Sequence, residues 1–288
     1  MQKGFITVMA AFLMLPSGVA AQHGMLYYSM DTPWLTEVYV DDYSYGADSV
    51  GQSLMRVDYA MEIVVDTVQG TVAEQMMTLE IGKDVSRFCS TVYMTMDSLL
   101  QAGAECYHIY PKVKYAPAFF GMFFQNYPQD GKLTCTGRVC NTDLKYEEEL
   151  PEMNWRIQDS TDVILGYMVQ KAVCSFRGRD YTAWFSPQLP VRTGPWKFSG
   201  LPGLILKVSD SKGHYTFTAR GIYRTSGVIG IPRYLFLKTS RQKFVEAVSL
   251  GMTDIVKASR LYLRDMEIRV KDPSALVQRT MMFDFMER

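Results

Sequence analysis

Residues 181–206 read YTAWFSPQLPVRTGPWKFSGLPGLIL, and this stretch decides how the chain folds. Between two segments with the composition of strands it places four prolines and three glycines: Pro187, Pro190, Pro195, Pro202, Gly194, Gly200 and Gly203. Proline fixes φ and removes a hydrogen-bond donor, and glycine opens positive φ, so covalent geometry sets the path of this loop. Aromatic residues are interleaved with the turn residues: Trp184, Phe185, Trp196 and Phe198. The stretch therefore predicts an ordered, packed loop and not a flexible linker.

The last residues of the stretch are expected to be structural. Pro202 and Gly203 should turn the chain so that Leu204 enters a strand, with Gly203 at positive φ, while Trp184 and Trp196 cover the apolar floor beneath. The residues assigned to this structural motif are Gly200, Leu201, Pro202, Gly203 and Leu204.

Alternation of apolar and polar residues dominates on both sides of this loop. Residues 56–65 place every second residue on one apolar face, and residues 163–185 read as two alternating strands. Residues 204–208 and 215–220 flank a polar turn with a late glycine, which is typical of a hairpin. The pattern predicts a mainly β protein: a curved antiparallel sheet or partly closed barrel. At the level of fold analogy it is lipocalin-like or lipoprotein-carrier-like, which carries no function.

One or two helices are expected to pack on the sheet. An amphipathic helix should begin at Thr239, because Thr239 and Gln242 have capping-box spacing and Phe244 and Val248 share a stripe. Residues 96–102 predict a second, short helix, and Asp272-Pro273 a final helical turn. The sequence has no repeat or linker, so residues 22–288 are predicted to form a single domain.

Residues 1–21 have the three parts of a secretory signal peptide in order. Lys3 is the only charge, residues 5–15 are the apolar core, and Val19-Ala20-Ala21 supplies small residues for cleavage. The mature chain is expected in the periplasm or outside the cell, without a membrane span. Thirty basic and thirty acidic residues balance, which argues against nucleic acid as a partner.

Five cysteines in an exported chain predict disulfides and one thiol left over. Cys135 with Cys140 could close a hairpin loop, and Cys89 with Cys106 is a second possible pair. Cys174 lies in an apolar alternating segment and is the candidate for a buried free thiol.

No complete catalytic motif occurs in the sequence, and no cofactor or metal is expected. A hydrolase would have to use His108, because His23 lies near the new N-terminus and His214 in a turn. Cys106 and His108, with Cys89, are the alternative ligand set for a soft metal. The 19 methionines could bind Cu(I), but core packing explains them as well.

Basic residues near the loop are candidates for binding a ligand or partner. Arg177 and Arg179, with Lys171, are expected to form a stripe that either binds an anion or pairs with Glu147, Glu148 or Glu149. Lys197 lies between Trp196 and Phe198 and should have a cation–π or carboxylate partner. The candidate ligand- or partner-binding residues are Arg177, Arg179, Trp184, Trp196, Lys197 and Phe198.

Residues 200–206, GLPGLIL, resemble the signature of the GLPGLI family. Further elements that resemble the family run collinearly from residue 155 to 208: Trp155, Ile157, Gly166-Tyr167, Lys171-Ala172, Gly178-Arg179, Tyr181, Ala183-Trp184 and residues 194–198. Family members often carry a cysteine shortly after the Gly-Tyr pair, whereas this chain has its nearest cysteine at Cys174. The resemblance implies a secreted protein of Bacteroidota with no settled activity.

The sequence thus predicts a non-catalytic secreted or periplasmic binding protein. Its partner would be an apolar or amphipathic ligand inside the curved sheet, or a protein of the envelope. Residues 184–206 would form the rim or latch of the site. The alternatives are a hydrolase using His108 and a metal-handling protein using methionine and cysteine.

Overall fold

The computed structural model describes residues 47–253, except 69, 92, 93, 95–120, 140, 141 and 234, together with residue 286. Several predictions fall on other residues: the signal peptide, the helix at 96–102, the turn at Asp272, and the roles of His23 and His108. Both proposed disulfides have one partner there as well, since Cys106 and Cys140 lie outside the described residues. These remain predictions.

The described residues form thirteen strands and one helix. The strands are β1 (Ala47–Asp66), β2 (Thr71–Gly82), β3 (Ser86–Ser90), β4 (Gly121–Gln125), β5 (Lys132–Val139), β6 (Thr142–Glu149), β7 (Arg156–Ile164), β8 (Tyr167–Phe176), β9 (Arg179–Ser186), β10 (Leu204–Asp210), β11 (Tyr215–Arg224), β12 (Val228–Pro232) and β13 (Leu237–Lys238). The helix is α1 (Arg241–Thr253). The chain is therefore mainly β, as predicted.

Two meanders make up the sheet. Strands β1 to β6 pair in sequence order, and so do β7 to β11. An antiparallel pairing of β1 with β11, from Met55↔Arg224 to Ile63↔Tyr215, joins the two meanders. The path ends at β7 on one side and at β13 beside β6 on the other, and β12 pairs with the start of β1. The sheet is antiparallel except for the short β13–β6 pair, which is parallel.

The sheet is strongly curved but does not close. Arg177 follows β8 near one end of the strand order, yet it pairs with Glu148 on β6 near the other end. The connection of residues 150–155 runs from β6 to β7, so consecutive strands lie at opposite ends of the order. These facts confirm the first of the two predicted forms, a curved antiparallel sheet, and not the partly closed barrel.

The main core lies on the inner face of this curve. Val57, Tyr59, Met61 and Ile63 alternate along β1 and are fully buried there, as the period-two pattern predicts. A smaller core is separate from it and joins β3, β4 and β12: Val85, Cys89, Met122, Phe124, Ile229 and Ile231. Every residue of β3 and β4 is buried because both faces of these strands are covered.

Helix α1 begins two residues later than the predicted start at Thr239. Ser240 caps it instead: its Oγ accepts a 3.4 Å hydrogen bond from the Lys243 N–H, and its carbonyl accepts one from Phe244. The Gln242 side chain bonds Glu246 and does not reach back to Thr239. Phe244 packs edge-on against Tyr146 of β6, with 4.9 Å between ring centroids, so the predicted contact with the sheet is confirmed.

A turn between β8 and β9 separates Arg177 from Arg179, whereas the sequence-based prediction placed both in one stripe. Arg177 and Gly178 both have positive φ, 50° and 78°, and form a two-residue hairpin turn. Cys174, just before it, is a buried free thiol, as predicted. Burial raises the pKa of this thiol to about 12, with a further contribution from the Asp180 carboxylate.

No helix among the residues with a described structure has both the length and the apolar character that crossing a membrane requires.

Candidate functional site

Residues 187–203, which we call the aromatic loop, fold back onto the inner face between β9 and β10. The loop is held partly by its own backbone: the Leu204 N–H donates to the Leu189 carbonyl at 2.9 Å and the Ile205 N–H to the Thr193 carbonyl at 3.1 Å. Thr193 and Ser199 form an isolated bridge within it. The predicted ordered loop is confirmed.

Aromatic rings join the loop to the sheet. The Trp196 ring lies edge-on to Phe198 at 5.2 Å and to Phe176 of β8 at 5.9 Å, and Phe198 meets Tyr181 of β9 at 4.8 Å. Each such pair stabilises beyond simple burial. Trp196 and Phe198 are buried at the centre of the core, so they are parts of the packing and do not form an open rim.

Polar side chains tie the same loop to two other segments. The Thr193 Oγ1 donates to Gln125 Oε1 of β4 at 2.9 Å, and Gln125 Nε2 donates to the Phe198 carbonyl at 3.3 Å. From the β6–β7 connection, Trp155 Nε1 donates to the Ser199 carbonyl at 2.8 Å. Gln125 and Trp155 thus satisfy two backbone carbonyls of the loop, and Thr193 adds a side-chain bond between the loop and β4.

Gly203 is required for a reason other than the predicted one. Its φ is not in the left-handed region, whereas Gly200 has a φ of 94°. A Cβ added to Gly203 would lie only 2.1 Å from the Ser186 carbonyl oxygen, inside the β9–β10 pair. Gly203 therefore allows a close approach of two backbones, and Gly200 supplies the unusual backbone angle.

Lys197 is enclosed by the protein, with 1% of its surface exposed. Its Nζ donates to the Tyr146 hydroxyl at 2.6 Å and lies 3.5 Å from Glu148 Oε1. The same nitrogen sits 5.2–5.9 Å from the ring centroids of Trp196, Tyr146 and Phe123. The predicted cation–π and carboxylate partners are both present.

Glu148 is the point at which separate elements meet. Its Oε2 accepts from Arg177 at 3.0 Å and lies 3.9 Å from Arg241 at the start of α1, while its Oε1 faces Lys197. Residues 147–149 form the end of strand β6. Glu148 links β6, the β8–β9 turn, the aromatic loop and α1.

Arg177, Arg179 and Lys171 do not form the predicted stripe, because the turn at residues 177–178 separates them. Arg179 is buried and its Nη1 donates to Asp210 Oδ2 at 2.7 Å. Asp210 also accepts the Tyr215 N–H at 2.9 Å, so this carboxylate is held from two strands. Arg179 thus has an internal partner, and Arg177 pairs with Glu148, one of the three acids considered.

Trp184 lies apart from the other loop aromatics. It is half-buried on β9, paired with Lys171 on one neighbouring strand and Lys207 on the other, on the opposite face from Phe185. Trp184 still packs, partly buried, against the main core in which Trp196 is fully enclosed, so the expected contact of both tryptophans with this core is present.

The candidate binding residues come together only in part. Arg177 and Lys197 share Glu148, and Trp196 contacts Phe198. Arg179 pairs with Asp210 instead, and Trp184 lies beside Lys171.

The β7–β8 hairpin carries exposed apolar side chains that sequence analysis did not single out. Ile157 is 48%, Val163 64%, Leu165 43% and Met168 61% exposed. Among the strands that the structure describes, β7 pairs only with β8, and eight of its nine residues are exposed. We call residues 156–168 the hairpin surface. The run Val163-Ile164-Leu165 is its only sequence signal, and a strand with one covered face would show the same run.

Other kinds of site have less support. A cavity of about 110 Å³ lies beside Arg156, Cys174, Asp180 and Tyr181, smaller than the roughly 300–1,000 Å³ of typical ligand sites. Within the described ranges no group of three or more His, Cys, Asp or Glu residues is placed to hold a metal. The alternative ligands Cys106 and His108 lie outside those ranges.

We expect Lys197→Met to destabilise the protein by about 2–3 kcal/mol, because Glu148 and Tyr146 would lose their buried partner. Urea titration of the variant and of Lys207→Met, a partly exposed lysine on β10, measures the difference. Equal midpoints for the two variants would show that the enclosed ammonium contributes nothing to stability.

No curated protein matches the chain. Two solved structures titled as PNGF-II, in P21 and C2 space groups, match with TM-scores of 0.49 and 0.48 and identities of 15% and 16%. Each alignment covers 69% of this chain, and this chain spans about a third of their length, 34% and 33%. A family model described as a protein of unknown function, Porph_ging, matches residues 176–207. That segment holds the aromatic loop and the GLPGLIL motif, and the match confirms that the chain carries the signature of the GLPGLI family.

Proposed function

We propose that this chain is an exported, non-catalytic binding protein that contacts a protein of the cell envelope through its hairpin surface. The signal-peptide pattern of residues 1–21 supports export, with cleavage after Ala21. The family signature at residues 176–207 is consistent with a secreted or envelope location.

The observation that carries the proposal is the exposed apolar hairpin at the end of the strand order that the described residues form. Val163 and Met168 are directly paired across β7 and β8, so two exposed apolar side chains lie side by side, with Leu165 in the turn next to them. Contiguous exposed apolar surface marks interaction sites, and an edge strand offers free backbone donors and acceptors.

The packing of the aromatic loop favours a partner bound outside the sheet and argues against a ligand bound inside it. Its rings fill the inner face, and its lysine is held by Tyr146 and Glu148. A ligand entering there would have to displace Trp196 and Phe198 from the core. In this proposal the loop fixes the curvature of the sheet, and the hairpin surface makes the contact.

Site-specific photo-crosslinking tests the proposal in the organism that makes the protein. A benzoylphenylalanine at Val163 should yield a discrete adduct with an envelope protein, and the same probe at the exposed turn residue Asp84 should not. Adding Met168→Asp should abolish the adduct, because a charge would replace an apolar contact. Lack of an adduct at Val163, or an adduct unchanged by Met168→Asp, would contradict the proposal. Lipid that co-purifies with the protein, without a protein adduct, would contradict it as well.

A further inference from the structure

Strand β7 presents a nine-residue edge whose far side has no strand among the described residues. The edge is irregular: pairing with β8 shifts between Ile157 and Thr161, and the Gln170 side chain donates to the Gln158 carbonyl at 3.0 Å in the gap. Bulges and charges at an edge discourage indiscriminate strand addition. A strand that pairs with this edge must therefore be complementary to its bulge and its charges.

The sequence of β7 is complementary to a second copy of itself in antiparallel pairing. With Ser160 opposite Ser160 of a second copy, antiparallel pairing places Ile157 opposite Val163 on one face, twice by symmetry. On the other face Arg156 lies diagonal to Asp162, within reach of its long side chain. Asp159 lies opposite Thr161, and no two like charges are directly opposed in this register.

We infer that the occupant of the β7 edge is a second copy of this chain, paired antiparallel through β7 about Ser160. The inference rests on the proposed contact role of the hairpin surface and names its partner. Such a contact is two-fold symmetric, so the same residues serve both copies. It would extend the sheet across two molecules and cover Ile157 and Val163.

Charge reversal distinguishes this register from others. Arg156→Asp should weaken the dimer by about tenfold in its dissociation constant, because the carboxylate would meet Asp162. The double variant Arg156→Asp with Asp162→Arg should recover the original constant, since it exchanges the two charges. Asp159→Asn should tighten the dimer, because Asp159 lies diagonal to its own copy. The constants are measured by analytical ultracentrifugation of the mature chain.

A cysteine at the symmetry centre provides the decisive experiment. Ser160→Cys should form a covalent dimer under mild oxidation, whereas Asp84→Cys and the unmodified chain should not. A Ser160→Cys chain that stays monomeric by mass, or charge variants that all behave alike, would overturn the inference. If the Val163 photo-adduct with another protein persists in that case, the proposed function stands. If neither the Ser160→Cys oxidation nor the Val163 photo-crosslinking gives a covalent product, the proposed function fails as well.

Discussion

Gly203→Ala is expected to prevent stable folding, with a loss on the order of 4 kcal/mol or more. The added methyl group would lie 2.1 Å from the Ser186 carbonyl oxygen and 2.6 Å from its carbon, so backbone atoms and not a flexible side chain must move. Leu204 pairs with Ser186 in the β9–β10 ladder, so the movement would break the strand pair that anchors both ends of the aromatic loop. Urea titration followed by tryptophan fluorescence measures the loss.

Gly213→Ala is the matched control for this glycine. Gly213 has a φ of 68°, but open space surrounds the position of a Cβ. Its replacement should cost only about 1–2 kcal/mol, the penalty for placing a side chain in the left-handed region. If Gly203→Ala unfolds no more easily than Gly213→Ala, the close approach of the two backbones is not the reason why position 203 requires glycine.

Trp196→Ala is expected to lower the free energy of unfolding by about 3–5 kcal/mol, the range for removing a buried indole from a core. The ring contacts Phe123, Phe176 and Phe198 and forms one wall of the enclosure around the Lys197 ammonium. Its loss would leave a cavity next to a buried charge. Thermal and urea unfolding of the variant and of the wild-type protein provide the measurement.

Trp184→Ala is the matched control for Trp196→Ala, because it removes the same side chain at a less buried position. Trp184 is half-buried on the opposite face of β9, so its truncation should cost about 1 kcal/mol, in proportion to the smaller area it covers. Comparable losses for both tryptophans would mean that the loop does not form the centre of the core. A wild-type melting curve for Trp196→Ala would require another explanation for the motif.

Much of the fold could be predicted because period-two alternation is a local signal. The strands around Val57 to Val65, the curved antiparallel sheet and the ordered loop all follow from residues close in sequence. The predicted binding set failed as a unit for a different reason. Whether Arg177 and Arg179 share a face depends on a turn at residues 177–178 that interrupts the alternation, and the Arg-Gly pair there is its only trace.

The partners of Lys197 depend on contacts that composition does not encode. Tyr146 and Glu148 lie about 50 residues away on β6, and they reach Lys197 only because the sheet curves. The hairpin surface was missed for a related reason. Exposed and buried apolar residues look alike in sequence, and only the three-dimensional order of the described strands shows that β7 lies at one end of it.

The joint between the two meanders has a consequence for how fast the protein reaches its native state. Within each meander the paired strands are neighbours in sequence, but β1 and β11 are brought together from about 150 residues or more apart. Closing so long a loop costs entropy that local hairpins do not pay, and distant pairings slow folding. Each meander should therefore acquire protection from hydrogen exchange early, and the β1–β11 amides late, after the two halves meet. Until then β1 and β11 are two long unpaired edges, and during that interval the folding chain is most exposed to aggregation.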